Sequence, residues 1–101
     1  TIHVRLRPGT TEATVRETLA AAYDGPFVRL LPAGRWPAVR DVERTNHCDI
    51  GLAVHPRLPH VVISSAIDNL VKGAAGQAVQ CFELRFGIAP SPSREATCTI
   101  R

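Results

Sequence analysis

Methionine is absent from this 101-residue chain, lysine occurs once, and aromatic residues make up only 5% of it. Because the chain starts at Thr1 without an initiating methionine, we expect it to be a piece of a longer protein. No run approaches 18 apolar residues and no basic segment precedes an apolar stretch, so this segment contains neither a predicted membrane span nor a signal peptide. Its 45% hydrophobic and 21% charged residues predict an ordinary soluble globular unit.

The basic balance does not indicate a nucleic-acid partner. The net charge is +3, but the eleven arginines are scattered from Arg5 to Arg101 without a cluster and without interleaved aromatic residues. Nucleic-acid binding needs a concentrated basic surface, so we predict no such partner.

Cysteine and histidine are too few and too scattered for a disulfide framework or a metal site. The three cysteines are an odd number and form no Cys-x-x-Cys pair, which argues against a disulfide framework. His47, Cys48 and Asp49 are ligand-type residues, but neighbours on a strand point to opposite faces and cannot converge on one ion. We therefore predict no metal site.

Hydrophobic periodicity predicts an α+β unit. Ile2, Val4 and Leu6 alternate with polar residues as in a half-buried strand, and a helix capped by Thr10 or Thr11 follows. The pattern predicts a mostly antiparallel or mixed sheet with two helices on one face, in which the last two strands form a hairpin. The predicted strands are 2–6, 27–31, 49–54 and 60–67, and the predicted helices are 11–23 and 68–86.

Gly51 and Trp36 each carry a specific structural expectation. Gly51 lies within a predicted strand and permits a bulge or the close approach of another segment. Trp36, the single tryptophan, lies in a loop rich in Pro and Gly, where we expect it to be a buried anchor.

The last helix has an unusual start. Asp68 is a good N-cap whose side chain can accept a hydrogen bond from the backbone N–H of Leu70 or Val71. Gly73 and Gly76 follow at once, each costing about 1 kcal/mol relative to alanine. Either a neighbouring element packs tightly there or a ligand approaches, and spacing alone favours packing.

Helical spacing also predicts which face of the last helix meets the sheet. We expect the apolar set to face the sheet and the polar set to face other surfaces. The apolar set is Val71, Ala75, Ala78, Val79, Phe82 and Phe86, and the polar set is Lys72, Gln80, Glu83 and Arg85. After Gly87, the prolines and weak periodicity of residues 88–101 predict a loose tail.

Several ordered segments resemble N-acetyl-γ-glutamyl-phosphate reductases, which are NADP-dependent enzymes of arginine biosynthesis related to aspartate-semialdehyde dehydrogenases. The resemblance covers about residues 1–87 and implies the last part of the catalytic and dimerisation domain. The segments that carry it are Thr1 to Leu6, Phe27 to Pro32, Thr45 to Gly51, and Asp68 to Ala78 with its sequence Asp-Asn-Leu-Val-Lys-Gly-Ala-Ala-Gly-Gln-Ala.

The features of that family that perform the chemistry are not in this sequence. It contains no Gly-x-Gly-x-x-Gly turn of a dinucleotide-binding domain, no Gly-Cys nucleophile segment and no catalytic histidine segment. By resemblance, the complete enzyme reduces N-acetyl-γ-glutamyl phosphate with NADPH through a cysteine thioester, in the cytoplasm and as a homo-oligomer. We expect the chain alone to be inactive and assign it no catalytic residue.

Asn69 and Gly73 are the cofactor-binding residues that the resemblance implies. Asn69 matches an asparagine near the nicotinamide end of the cofactor, where its amide can hold the carboxamide through one donor and one acceptor; the alternative is that it only closes a turn. Gly73 would permit close approach of the cofactor. Lys72 is interpreted as a solvated helix residue, with phosphate neutralisation as the alternative.

The sequence is compatible with two other functions. A β-α-β-β-α order also occurs in ferredoxin-like modules that bind small ligands, and fold alone does not choose function. Within the enzyme class, the substrate could be an aspartyl or amino-adipyl phosphate. By resemblance, Cys48 on a strand and Cys81 on a helix are expected to be small core residues rather than reactive thiolates.

Overall fold

A computed structural model of the protein describes residues 1–89, which fold as one mixed four-stranded sheet with two helices. This confirms the predicted α+β class. The elements are β1 (Ile2–Arg5), α1 (Glu12–Ala22), β2 (Val28–Leu30), a 3₁₀ turn (Val39–Asp41), β3 (Cys48–Val54), β4 (His60–Ile67), a π-helical turn (Val71–Ala75) and α2 (Gly76–Arg85).

The strands lie in the order β1-β4-β3-β2. β4 pairs antiparallel with both β1 and β3, which confirms the predicted hairpin, and β2 pairs parallel with β3. The hairpin turn is closed by His55, whose backbone N–H donates to the His60 carbonyl at 2.8 Å. The His55 side chain also stabilises the turn, because its Nδ1 accepts a hydrogen bond from the backbone N–H of Leu58 at 2.9 Å.

Helix α1 is fixed at its start by Thr11, as predicted, and to the sheet by Arg16. The Thr11 hydroxyl accepts from the Thr14 backbone N–H at 3.2 Å. The Arg16 guanidinium donates to the carbonyls of Leu31 at 2.9 Å and Leu52 at 3.4 Å. Because β2 has only three residues, it ends before β3 does, and Arg16 supplies donors to carbonyls at and beyond its end.

A close approach at Gly51 is confirmed. A Cβ at this position would lie 2.7 Å from the Arg35 carbonyl oxygen and 2.9 Å from Pro37 Cδ, so the loop crosses the strand at the glycine. The strand pairing continues through Gly51, which stands opposite Ser64 without a bulge. The expectation of a buried Trp36 is wrong, since that residue is 49% exposed. The loop packs through its backbone and proline rather than through the indole.

The hydrophobic core is small and partly drawn from irregular segments. Val42, which follows the 3₁₀ turn, is fully buried, although its surroundings in the sequence show no clear period. The other buried apolar residues are Phe27, Ile50, Leu52, Val61 and Ala66. None of the helices within residues 1–89 combines the length and apolar character needed to cross a membrane.

Helix α2 ends in a glycine cap. Gly87 has a φ of 67°, a left-handed conformation that glycine adopts without strain. The backbone N–H of Ile88 donates to the Glu83 carbonyl at 2.8 Å, and that of Gly87 to the Leu84 carbonyl at 3.4 Å, which is the Schellman pattern. The helix cap thus includes Ile88, at the start of the predicted tail. From residue 90 onward that tail lies outside the described residues.

A buried ion pair joins the parallel strands β2 and β3. Asp49 accepts from Arg29 Nε at 2.6 Å and from Nη2 at 3.0 Å, a bidentate arrangement. The Asp49 side chain is 3% exposed, whereas that of Arg29 is 43% exposed. Only the carboxylate is therefore fully removed from water.

Because only Asp49 is fully buried, we predict that replacing Arg29 and replacing Asp49 lower the free energy of unfolding by different amounts. Arg29→Met leaves an unpaired buried carboxylate and should lower the free energy of unfolding by about 2 to 3 kcal/mol, whereas Asp49→Asn should cost about 1 kcal/mol. The second cost is smaller because water reaches Arg29, which also donates to the Asp41 carbonyl. Urea unfolding of the 101-residue chain measures both.

Arg40→Met is the matched control for this comparison. Arg40 pairs with Asp41 at 3.6 Å, but its side chain is 86% exposed, so its loss should change stability by less than about 0.5 kcal/mol. If Arg29→Met and Asp49→Asn lowered the free energy of unfolding equally, the buried carboxylate would not be the group whose loss of a partner matters most.

Candidate functional site

The candidate site is the start of the last helical segment, where Asp68 follows β4. Asp68 Oδ1 accepts from the backbone N–H groups of Leu70 at 2.7 Å and Val71 at 3.0 Å, which confirms the predicted cap. Its second oxygen, Oδ2, accepts from the backbone N–H of Arg44 at 2.7 Å. One carboxylate therefore joins the helix start to the loop that precedes β3.

These three backbone donors lower the pKa of Asp68, the Arg44 N–H having the largest effect. Arg44 has a φ of 60°, a left-handed conformation that is uncommon for a residue with a side chain. The carboxylate is thus bonded to a strained position. It also occupies the N–H groups of Leu70 and Val71, so these are not free to bind an external anion.

The helix does not begin as a regular α-helix. The backbone N–H of Gly73 donates to the Asp68 carbonyl at 3.0 Å, and that of Gly76 donates to the Val71 carbonyl, so both bonds span five residues. Such π-helical turns are rare and frequently occur at functional sites. The sequence predicted a helix here but not its widened first turn.

Gly73 is approached by Asn69. A Cβ on Gly73 would lie 2.8 Å from Asn69 Oδ1, too close for a real contact, and 3.5 Å from Ile67 Cδ1. Asn69 is exposed, and its side-chain amide makes no hydrogen bond within residues 1–89. The structure therefore brings the two predicted cofactor-binding residues together, with the amide lying over the glycine.

Gly76 is approached by Asn46. A Cβ on Gly76 would lie 2.5 Å from Asn46 Oδ1 and 2.8 Å from the Val71 carbonyl oxygen. Asn46 Nδ2 donates to the Gly76 carbonyl at 3.3 Å and to Gln80 Oε1 at 3.4 Å. Here the predicted tight packing is observed, and the packing group is a polar side chain.

The predicted orientation of the last helix is wrong. Glu83, expected on an outer surface, is 7% exposed, whereas Phe82 and Phe86 are 55% and 63% exposed. Lys72 and Gln80 are half-buried on the face that meets Asn46. Asn46 hydrogen bonds to this polar face at Gly76 and Gln80, a contact that helical periodicity does not encode.

Lys72 is not a freely solvated helix residue. Its ammonium group donates to Gln80 Oε1 and lies 5.1 Å from the centroid of the Phe27 ring. Burial lowers its pKa, although the neighbouring Cys48 and Cys81 act in the opposite direction. Because it is held against these groups, Lys72 is poorly placed to neutralise a ligand phosphate at the helix start.

The two described cysteines differ in their surroundings. Burial raises the pKa of the half-buried Cys48 thiol, with Lys72 lowering it and Asp49 raising it to smaller extents. A raised pKa disfavours the thiolate, which is the nucleophilic form, and this agrees with the expectation that Cys48 is not a reactive thiolate. Cys81, in contrast, is exposed on α2 rather than part of the core, because the helix turns its other face inward.

Two polar side-chain atoms just before β3 are buried without a hydrogen-bond partner in the described residues. They are Asn46 Oδ1 and His47 Nδ1. Across residues 1–89, no group of three or more His, Cys, Asp and Glu residues is arranged to hold a metal ion.

Asn46 and Gln80 are the site residues that sequence reasoning did not single out. Asn46 appeared only within a longer motif, and Gln80 was assigned to an outer surface. A usable signal was present in Gly76, whose missing side chain indicates a close neighbour. The sequence alone does not say which residue that neighbour is.

Comparison with known proteins places the chain in a family. The model of the semialdehyde dehydrogenase dimerisation domain matches residues 1–69. The chain belongs to the semialdehyde dehydrogenase family, through its dimerisation domain.

Within this family, the chain is similar to curated N-acetyl-gamma-glutamyl-phosphate reductases. The chain is 48% identical over 89 residues to the N-acetyl-gamma-glutamyl-phosphate reductase of Desulforapulum autotrophicum and 51% identical over 89 residues to that of Pelotomaculum thermopropionicum. It is 48% identical over 94 residues to that of Moritella profunda. These matches cover 87%, 87% and 92% of the chain but only 26%, 26% and 27% of the relatives. The resemblance to this reductase family is confirmed, and the chain spans about a quarter of these relatives.

The Asp68 contacts predict a pH dependence of stability. Because the pKa of Asp68 is lower in the folded chain, its contribution is complete above the ordinary value of 3.8 and is lost as pH falls through the lowered value. Asp68→Asn should therefore show a smaller loss of stability on acidification below about pH 4 than the unmodified chain. Thermal unfolding of the 101-residue chain at a series of pH values measures this difference.

Asp24→Asn is the control, because Asp24 is exposed and its carboxylate makes no hydrogen bond within the described part of the chain. That variant should retain the pH dependence of the original. If the stability of the Asp68→Asn variant and of the unmodified chain changed with pH in the same way, the charge of the Asp68 carboxylate would not contribute to stability.

Proposed function

We propose that this chain acts within a longer reductase that converts N-acetyl-γ-glutamyl phosphate to N-acetylglutamate semialdehyde. The reactions named for its relatives support this substrate over an aspartyl or amino-adipyl phosphate. The match to a semialdehyde dehydrogenase domain supports an enzyme rather than a ferredoxin-like ligand-binding module. The same match supports a homo-oligomer, and the free thiols of Cys48 and Cys81 suit a reducing cytoplasm.

NADPH is the cofactor in this proposal, and it would supply the hydride that reduces the acyl group. Asn69 would bind its nicotinamide carboxamide, and Gly73 would contribute through its missing side chain, since the Asn69 amide lies over it. The single observation that carries this assignment is that the exposed Asn69 amide has no hydrogen bond within residues 1–89. It therefore offers one acceptor and two donors to a ligand.

The charges around Asn69 suit an uncharged amide better than a phosphate. Asp68 is the adjoining residue, and its lowered pKa keeps it ionised at neutral pH. It also occupies the N–H groups of Leu70 and Val71. Of the two cations near this helix start, Lys72 is held against Gln80 and Phe27, and the charge of Arg44 acts on the Asp68 carboxylate itself. A neutral carboxamide escapes the repulsion that the Asp68 carboxylate would exert on a phosphate.

The proposed reaction is tested in the direction that forms NADPH. The complete protein, with its upstream sequence, should show phosphate-dependent reduction of NADP with N-acetylglutamate semialdehyde, followed by absorbance at the nicotinamide band. It should prefer this substrate to aspartate semialdehyde. The 101-residue chain alone should show no turnover above background. Turnover by the chain alone, or none by the complete protein, would overturn the proposal.

Asn69→Ala tests the cofactor assignment. In the complete protein we expect the dissociation constant for NADPH to rise about tenfold, as for the loss of one or two neutral hydrogen bonds. The melting temperature should stay nearly constant because the amide makes no hydrogen bond in the described chain. Gln77→Ala, which removes another exposed amide further along the helix, is the control and should leave NADPH binding unchanged. Unaltered affinity in Asn69→Ala would remove the site assignment.

A further inference from the structure

Gly73 and Gly76 face different kinds of neighbour, although they are only three residues apart. The position of a Cβ on Gly76 is closed by the Val71 carbonyl oxygen at 2.8 Å, which is backbone, as well as by Asn46. The position of a Cβ on Gly73 is closed by Asn69 Oδ1 alone at less than 3 Å, which is the end of a side chain. Only at Gly73 can the obstruction move aside without disturbing the helix.

We propose that Gly73 is a positioning residue for Asn69: its missing side chain leaves the space in which the Asn69 amide rests, and Gly73 itself does not contact the cofactor. The inference rests on the proposed function for the role of Asn69. It deepens that function, because it assigns cofactor affinity to a residue that acts through its neighbour.

The geometry supports this role over a direct contact. A Cβ placed on Gly73 would meet Asn69 Oδ1 at 2.8 Å, Asn69 Cγ at 3.5 Å and Ile67 Cδ1 at 3.5 Å. The last two are ordinary van der Waals distances, so the amide oxygen is the one group that must move. The nearest occupant of the space above Gly73 is therefore already part of the protein, and a ligand there would meet the Asn69 amide first.

The conformation of the backbone does not explain the glycine. Gly73 does not have the positive φ that Gly9, Gly34 and Gly87 show. Alanine would also be favoured by about 1 kcal/mol at a helical position with free space. Neither the backbone dihedral angles nor helix propensity requires a glycine at position 73, whereas the space needed by the Asn69 amide does.

Two single variants and their combination test the proposal in the complete enzyme. Gly73→Ala should push the Asn69 amide aside and raise the dissociation constant for NADPH by about the same factor as Asn69→Ala, roughly tenfold. The double variant should bind NADPH no more weakly than Asn69→Ala alone, since there is no amide left to displace. Fluorescence titration with NADPH measures all three constants. Losses that multiply in the double variant would overturn the proposal, because Gly73 would then act independently of Asn69.

Melting temperatures separate positioning from a purely structural role. Gly73→Ala should melt within a few degrees of the original enzyme, because a flexible side chain gives way. Gly76→Ala should melt well below it, because the Val71 carbonyl cannot move without breaking the helical turn. Gly25→Ala, whose Cβ would meet nothing within 4 Å, is the control for both temperature and affinity. A fall in melting temperature for Gly73→Ala as large as that for Gly76→Ala would contradict the positioning role.

A crystal structure of the complete Gly73→Ala variant tests the displacement without reference to the cofactor. The Asn69 amide should occupy a different rotamer from that in the original enzyme, and an unmoved amide would overturn the inference. If the unmodified enzyme bound no NADPH while the amide still moved, the proposed function would fail and the steric relation between the two residues would be confirmed.

Discussion

The Asp68 carboxylate is the interaction on which the arrangement of the site depends. Its two oxygens accept three backbone N–H groups, from Leu70 and Val71 at the helix start and from Arg44 in the loop before β3. These segments are far apart in the chain, and neither has regular hydrogen bonding at this point. An ionised group that satisfies both fixes the direction in which the chain leaves β4. The position of Asn69, the next residue, follows from it.

Helix α2 is joined to the rest of the described chain through polar groups, which is unusual for a helix in a small domain. Asn46 donates to Gly76 and Gln80, and Gln80 also accepts from the Lys72 ammonium group. Hydrogen bonds require particular distances and directions, whereas apolar contacts tolerate sliding and rotation. A helix held in this way keeps a defined register relative to the loop that precedes β3. The apolar side chains of Phe82 and Phe86 lie on the opposite, exposed face.

Much of the fold was predictable because it follows from local patterns. The strands, the Thr11 and Asp68 caps and the β3–β4 hairpin depend on neighbouring residues whose side-chain chemistry is visible in the sequence. The orientation of α2 was not predictable, because apolar periodicity assumes that the apolar face is the buried one. Here the inward face instead carries Gln80, which accepts a long-range hydrogen bond from Asn46. The same limit applies to Gly73, for which the sequence indicated a close neighbour but could not distinguish a ligand from the amide of Asn69.

The position of β1 at the edge of the sheet has a consequence for the time course of folding. Ile2 stands opposite Ile63 in the antiparallel pair, so β1 is synthesised about 60 residues before β4, its partner within residues 1–89. At about 5 to 20 residues per second, β1 waits several seconds with its backbone donors and acceptors unpaired. Because closing so long a loop is slow compared with forming a local hairpin, β3 and β4 can pair first and present a finished edge to β1. The order of events is thus set by which strand lies at the edge, and β1, although synthesised before the other described strands, is among the last of them to join the sheet.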